Sequence, residues 1–182
     1  IRQETAVANL SKSMITIGKL TLRNFLSIGA VTQSVDFDSK NLTLILGENL
    51  DLGGDGAKNG TGKTTILQGL SYALFGSPIN KIKLDNLINR TNGKHMVASI
   101  DFNVDGTDYR IERGRKPTFL RFYVNSQEIK TTDSDGNESQ GENRETQEKI
   151  NHILAMSDDM FKHIIGLNTY TEPFLSMKTG DQ

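Results

Sequence analysis

The sequence contains no cysteine, which excludes disulfide bonds, zinc sites built on thiolates and cysteine nucleophiles. The lack of cysteine also fits a reducing cytoplasm. No apolar run approaches the roughly 20 residues that a membrane-spanning helix needs, so we predict no membrane partner. Neither sign of charge is in excess, because 21 Lys and Arg residues stand against 22 Asp and Glu residues. Overall charge therefore neither requires nor excludes a polyanionic partner.

The residues that are present suffice for one domain. The sequence has 182 residues, 35% of them hydrophobic, which can furnish a single core. Residues 1–13 carry charge and lack an apolar segment, so we expect a disordered leader rather than a secretion signal. The first Met is Met14, and the sequence stops at FLSMKTGDQ without an obvious domain end. We therefore expect residues 14–182 to form one lobe of a larger protein.

The hydrophobic pattern predicts alternating strands and helices. A helix is predicted over 64–75, where apolar residues recur at helical spacing before the stop signal of Gly76. Asp105 and Gly106 predict a hairpin turn, and Ser157 predicts the N-cap of a helix over 158–167. The acidic stretch 131–148 is predicted to be a solvated loop that runs into a helix. Strands are predicted over 14–25, 31–38, 41–47, 96–104, 107–113 and 119–125.

A glycine-rich stretch, NGTGKTT at 59–65, lies between a predicted strand and a predicted helix. Backbone N–H groups in such a loop can wrap a phosphate at the N-terminus of a helix. In a loop of the Walker type, the lysine neutralises the outer phosphates and the next hydroxyl holds magnesium. A turn that merely caps the helix is the alternative, which the order of strand, loop and helix disfavours. The phosphate and magnesium roles fall to Asn59, Gly60, Thr61, Gly62, Lys63 and Thr64, and an α-phosphate contact falls to Thr65.

The start of this loop departs from the strict pattern, which requires glycine where this sequence has Ala57. We therefore take Gly47, directly after the predicted strand, as the first glycine, with an insertion before Gly60. Lengthening a loop from roughly 8 to 18 residues costs only about 0.7 kcal/mol of closure entropy, so phosphate binding survives it. The insertion is acidic and rich in glycine. It is either a tolerated surface excursion or a lid whose carboxylates reach magnesium or the base.

The predicted hairpin carries a cluster of cations with Glu112 as the one acid among them. Such a cluster can contact nucleic-acid phosphates independently of base sequence. A solvated strand face that balances the acidic stretch at 131–148 is the other interpretation. The candidate DNA-binding residues are Arg110, Arg113, Arg115, Lys116 and Arg121.

The sequence contains IGKLTLRNFLSIGAVTQSVDF, then LILGEN with NGTGKTTILQGLSYALFG, then FKHIIGLNTYTEPFL. Together these segments resemble the N-terminal ATPase segment of SMC-like repair ATPases of the SbcC/Rad50 type, over about 14–177. RGRKPTFLRFYVN is similar to the phage form of that family, the large subunit of a recombination endonuclease. The resemblance implies an α/β P-loop NTPase fold, specifically the N-terminal lobe of an ABC-like ATPase head with a mixed sheet and flanking helices.

The resemblance also implies residue roles, with ATP and Mg²⁺ as cofactors. Asn24 belongs to an Asn-Phe pair near the nucleotide and is assigned to its binding, although the arginine expected next is replaced by Leu26. Asn168 stands where the family has a glutamine that contacts magnesium and water. Lys63 and Asn168 are the implied catalytic residues, and Thr64 and Asn168 are the implied magnesium ligands.

The implied function is the binding of Mg-ATP within a DNA double-strand-break repair and recombination ATPase that regulates a nuclease. An Asp-Glu strand end and a Ser-Gly-Gly signature are not legible here, so ATP hydrolysis is expected only of the full-length dimeric protein. Implied partners are double-stranded DNA, a nuclease subunit of SbcD/Mre-eleven type and a second ATPase head. The implied location is the cytoplasm, that of the host for a phage protein. A DNA-binding or assembly module without turnover, and another ABC-like ATPase of RecF type, stay open as alternatives.

Overall fold

A six-stranded antiparallel sheet organises the computed structural model, which describes residues 14–38, 42–48, 61–129 and 141–166, with backbone alone at 141 and 142. The spatial order of the strands is β2-β1-β3-β4-β5-β6, and all five pairings are antiparallel. The strands are β1 (Ile15–Arg23), β2 (Gln33–Asp36), β3 (Met96–Val104), β4 (Thr107–Arg115), β5 (Phe119–Val124) and β6 (Gln127–Glu128).

One face of the sheet is apolar because hydrophobic residues alternate along the strands. On β3, Met96, Ala98, Ile100 and Phe102 are each 3% exposed or less, whereas the residues between them are half-buried. The period of two places all four side chains on the same face. The hairpin between β3 and β4 turns at Asp105-Gly106 as predicted, with left-handed φ values of 49° and 87° that suit this type of turn.

The helix α1 (Lys63–Phe75) packs on the apolar face and confirms the predicted helix. Its contact with β1 is close, because a Cβ added at Gly69 would lie 2.6 Å from Leu22 Cδ1. Gly76 ends the helix in the left-handed conformation, with φ 75°, and donates its N–H to Tyr72 O. The stop signal read from the sequence therefore acts through a glycine C-cap.

Two further helical segments cover the core. The helix α2 (Gly141–Leu154) buries Ile150 and Leu154, and a short 3₁₀ helix spans Leu84–Leu87. Ser157 caps the helix α3 (Asp158–Met160), as predicted, by accepting a 3.2 Å hydrogen bond from Met160 N. A π-helical turn over Phe161–Ile165 continues α3.

The strand predicted over 41–47 is wrong for the described residues of that stretch, which adopt no regular secondary structure. Leu42 is 100% exposed, and Leu44 and Leu46 are 78% and 76% exposed. A buried strand needs hydrogen-bonding neighbours as well as apolar side chains. None of the six strands pairs with this segment, so its apolar run alone does not make it a strand.

The antiparallel sheet with helices packed on its apolar face agrees with the predicted α/β class. In the described part of the chain, no helix combines the length and the apolar character needed to cross a bilayer. The leader 1–13, most of the insertion and the residues Asn59, Gly60 and Asn168 lie outside the described residues.

Candidate functional site

The N-terminus of α1 is built to receive an anion. Gly62 precedes the helix with φ 82°, a left-handed conformation that favours glycine, and Thr65 N donates to Gly62 O over 3.0 Å. The first turn contains no acidic residue, so no carboxylate there neutralises the positive end of the helix dipole. A backbone bend of this kind at a helix N-terminus is a phosphate-binding arrangement.

Three predicted residues meet beside Gly62. Lys63 Nζ donates a 3.0 Å hydrogen bond to Thr61 Oγ1, so the ammonium lies over the loop rather than pointing away from it. Gly47 contacts Thr61, because the Thr61 hydroxyl occupies the place that a Cβ on Gly47 would take. Gly47 and Thr61, which flank the insertion in sequence, are therefore in contact at the site.

A cavity of about 530 Å³ opens in front of this helix end. Five predicted residues, Thr61 to Thr65, contribute to its lining. The other lining residues were not selected as site residues from the sequence; they come from the turn after β1, from the 3₁₀ helix and from the segment that follows it. These lining residues are Leu26, Ser27, Asn86, Ile88, Asn89, Arg90 and Thr91.

Asn24 serves a different role from the one assigned to it. It is 4% exposed and does not line the cavity. Its side-chain NH₂ donates to Lys94 O at 3.0 Å and His95 O at 3.1 Å, while its Oδ1 accepts from Asn92 Nδ2 at 2.7 Å. Because these bonds use both side-chain donors and the acceptor oxygen, Asn24 stabilises the end of β1 rather than presenting its amide to a ligand.

Arg113 is not part of an exposed basic ridge, and this part of the prediction is wrong. Its side chain lies on the apolar face and is 8% exposed. Nε donates to Ala73 O at 2.8 Å and Nη2 to Leu74 O at 3.1 Å, at the carboxyl end of α1, and Gln147 Oε1 accepts a further bond. Burial lowers the pKa of Arg113 to about 10, so it remains a cation at neutral pH. A cation at this position complements the helix dipole.

The other cations of the hairpin lie at the surface, mostly opposite carboxylates. Arg110 pairs with Asp101 at 2.5 Å, and Arg115 pairs with Asp85 at 2.6 Å. Arg121 lies 3.9 Å from Glu112, and its guanidinium stacks over the Phe119 ring at 4.9 Å. Lys116 is exposed. A groove of about 600 Å³ is lined by Arg110 and by four carboxylates, those of Asp38, Asp101, Asp108 and Glu112.

Within the described residues, His, Asp and Glu side chains form no group of three that could hold a metal ion. Thr64, in the lining of the cavity, offers an oxygen ligand to a magnesium ion that accompanies phosphates. The cavity, the bent loop and Lys63 fit a phosphorylated ligand of nucleotide size.

Known proteins with similar sequences include a phage protein and an archaeal protein. The chain is 30% identical to exonuclease subunit 2 of Escherichia phage RB69 over 165 residues, which are 90% of this chain and 26% of the phage protein. It is 31% identical over 176 residues to the DNA double-strand break repair Rad50 ATPase of Methanocaldococcus jannaschii, covering 93% of this chain and 15% of the relative. The chain thus spans about a quarter or less of the length of these curated relatives.

The fold has a solved counterpart in a structure from work on the structural biochemistry of ATP-driven dimerization and DNA stimulated activation of SMC ATPases. The TM-score is 0.57 at 20% identity, with 91% of this chain and 93% of the other chain covered. This likeness confirms the SMC-like ATPase head as the fold. The sequence profile of the AAA domain family matches residues 19–182. The chain therefore belongs to the AAA domain family and is similar to ATPases of the SbcC/Rad50 type.

Proposed function

We propose that the chain binds Mg-ATP in the cavity at the N-terminus of α1. The observation that carries this proposal is that the Gly62 bend, Lys63 and the neighbouring threonine residues all line one cavity of nucleotide size. A helix end and a lysine together supply the positive potential that a triphosphate needs. A bare glycine turn that caps a helix would not require a cavity of this size.

Each residue has a distinct part in holding the phosphates. The bend at Gly62 lets the backbone approach the ligand closely, since no Cβ intervenes. Lys63 would neutralise the outer phosphates, and Thr64 would hold magnesium through its hydroxyl. Magnesium bound there would offset the charge of the phosphates. Asn168, if it ligates the same ion, does so through its side-chain carbonyl.

The lining residues from the 3₁₀ helix and the segment after it suit the sugar and the base. Asn86 and Asn89 offer amide donors and acceptors, Arg90 offers a cation, and Ile88 offers an apolar contact. We assign the phosphates to α1 and the nucleoside to the segment that follows the 3₁₀ helix.

The whole protein is proposed to be a DNA double-strand-break repair and recombination ATPase. In the whole protein, ATP binding would join two heads. The joined heads would contact DNA and regulate a nuclease subunit of SbcD/Mre-eleven type. The names of the relatives support this, since one is an exonuclease subunit and the other a double-strand break repair ATPase. ATP hydrolysis is proposed for the dimeric full-length protein. A module that binds nucleotide without turnover is the alternative, and an ATPase assay of the full-length protein separates the two.

Titration with Mg-ATP tests the binding proposal. Replacing Lys63 by Ala removes charge-assisted hydrogen bonds of about 1.5–3 kcal/mol, so the Kd should rise roughly 10- to 100-fold. Lys149→Ala is the matched control, because it removes the same charge from an exposed position of α2. Equal affinity of Lys63→Ala and the control would overturn the proposal.

Contact with DNA has less support from the hairpin than from the relatives. Arg110 and Arg115 are paired with carboxylates, whereas Lys116 is exposed. If Lys116 contacts a DNA phosphate, Lys116→Gln should weaken binding to duplexes of any sequence and reduce the slope of log K against log salt by about 1. Lys149→Gln is the control. If both variants keep the original slope of log K against log salt, the DNA-binding surface lies elsewhere on the protein.

A further inference from the structure

The turn after β1 brings the Ser27 hydroxyl next to the first turn of α1. Ser27 Oγ lies 3.2 Å from Thr65 Oγ1, although the two residues are 38 positions apart. Ser27 also approaches the glycine bend, since its Oγ would be 3.1 Å from a Cβ added at Gly62. Both Ser27 and Thr65 line the cavity. Nothing in the sequence pattern had selected Ser27.

The residue that precedes Ser27 is held firmly. Leu26 has a left-handed φ of 49°, which is uncommon for a residue with a branched side chain. Two bonds hold it there, one from Leu26 N to Leu87 O at 2.7 Å and one from Asn89 Nδ2 to Leu26 O at 2.9 Å. A conformation of this kind persists only where its surroundings fix it. The Ser27 hydroxyl therefore has a defined position against α1.

The chemistry of the two hydroxyls fixes the direction of the bond when a phosphate is bound. A hydroxyl donates one proton, and a phosphate oxygen at neutral pH only accepts. Thr65 can donate to the phosphate only if its proton is not used toward Ser27. Ser27 must then be the donor, and the sequence of donation runs from Ser27 to Thr65 to the phosphate. Hydrogen bonds in such a series polarise one another and strengthen the last one.

We propose that Ser27 is a positioning residue for nucleotide binding, whose hydroxyl donates to Thr65 Oγ1 and turns the Thr65 hydroxyl toward the α-phosphate. This inference rests on the proposed function, because it assigns the α-phosphate to Thr65. It adds the turn after β1 to the binding site and explains why that turn is held against both α1 and the segment after the 3₁₀ helix.

Titration of the 182-residue chain with Mg-ATP and Mg-ADP tests this inference. Ser27→Ala should raise the Kd of both nucleotides by the same factor, about 3- to 10-fold, since both contain the α-phosphate. Ser27→Thr keeps the hydroxyl and should restore affinity to within about twofold. In a Thr65→Val background, Ser27→Ala should have almost no further effect, because the bond through which it acts is gone.

A merely structural serine would behave differently in these measurements. Its removal would lower the thermal midpoint and would add to the effect of Thr65→Val, which would overturn the proposal. Ser34→Ala, at an exposed position of β2, is the matched control. If Lys63→Ala weakens binding and Ser27→Ala does not, the positioning role is refuted while the nucleotide site stands. If Lys63→Ala has no effect, the site itself is refuted.

Discussion

Gly47 and Thr61 are in contact, although the whole insertion lies between them in sequence. The Thr61 hydroxyl occupies the place of a Cβ on Gly47, and the same hydroxyl accepts the hydrogen bond from Lys63 Nζ. Glycine at position 47 is therefore a steric requirement of the phosphate loop. This contact supports the assignment of Gly47 as the first glycine of the loop, in place of the glycine missing at Ala57.

Gly47→Ala should weaken Mg-ATP binding about tenfold or more, which corresponds to about 1.4 kcal/mol. The added methyl group must displace Thr61, and Thr61 contacts both Lys63 and the cavity. Isothermal titration measures the effect. Gly29→Ala is the control, since the nearest atom to a Cβ there is Asn92 Nδ2 at 3.9 Å, an ordinary contact. Unchanged affinity of Gly47→Ala would show that this contact has no part in binding.

Deletion of residues 49–58 should leave the affinity for Mg-ATP within about twofold of the original. The ends of the insertion already adjoin through Gly47 and Thr61, and the remaining Glu48, Asn59 and Gly60 can bridge that short gap, since each residue spans up to about 3.3–3.6 Å. A tenfold loss of affinity would instead assign the insertion a direct contact with the nucleotide, as a lid would make. A deletion variant that also carries Lys63→Ala checks that the remaining binding uses the same site.

Gly69→Ala should destabilise the chain by about 1–3 kcal/mol, even though alanine is the better helix former by about 1 kcal/mol. The added Cβ would lie 2.6 Å and 2.8 Å from the two Cδ atoms of Leu22, so either the buried Leu22 side chain must repack or α1 and β1 must separate. Denaturant unfolding measures the change. Combining Gly69→Ala with Leu22→Ala should cost less than the sum of the single substitutions, because the second change provides the missing space. Additive costs would contradict the packing argument.

Several features could be predicted from the sequence because local chemistry decides them. The left-handed glycines at Gly62, Gly76 and Gly106, and the cap at Ser157, act within one turn of their own position. The family resemblance supplied the fold because it covers most of the chain. Ser27 could not be found in this way, since its partner Thr65 is brought to it by the packing of α1 on β1.

Arg113 shows where a charge count misleads. Its neighbours by alternation, Tyr109 and Ile111, lie on the apolar face, and the period of two places Arg113 there as well. That signal was available in the sequence, but clustering with other cations suggested a surface ridge. What alternation could not provide was the partner, because the carbonyl groups of Ala73 and Leu74 are 40 and 39 positions away in sequence and only packing brings them to Arg113.

Leu44→Ser should change the free energy of unfolding of the chain by less than about 0.5 kcal/mol. The side chain is 78% exposed, so little apolar surface returns to water on unfolding. Leu20→Ser is the contrasting variant, since Leu20 is 1% exposed and its replacement should cost several times more. Denaturant unfolding of both variants makes the comparison. A comparable cost at both positions would show that residues 42–48 form a buried strand after all.

Arg113→Met should lower the free energy of unfolding by about 2–4 kcal/mol, because carbonyl groups at the end of α1 lose their donors while methionine fills much of the same space. Arg110→Met is the matched control, since Arg110 forms an exposed pair with Asp101 and such pairs contribute about 1 kcal/mol or less. Adding Gln147→Ala to Arg113→Met should cost less than it does in the original chain, because the two side chains share one network. Equal stability of the Arg113 and Arg110 variants would contradict the stabilising role of the buried Arg113 side chain. Arg113 would then again be a candidate DNA-binding residue.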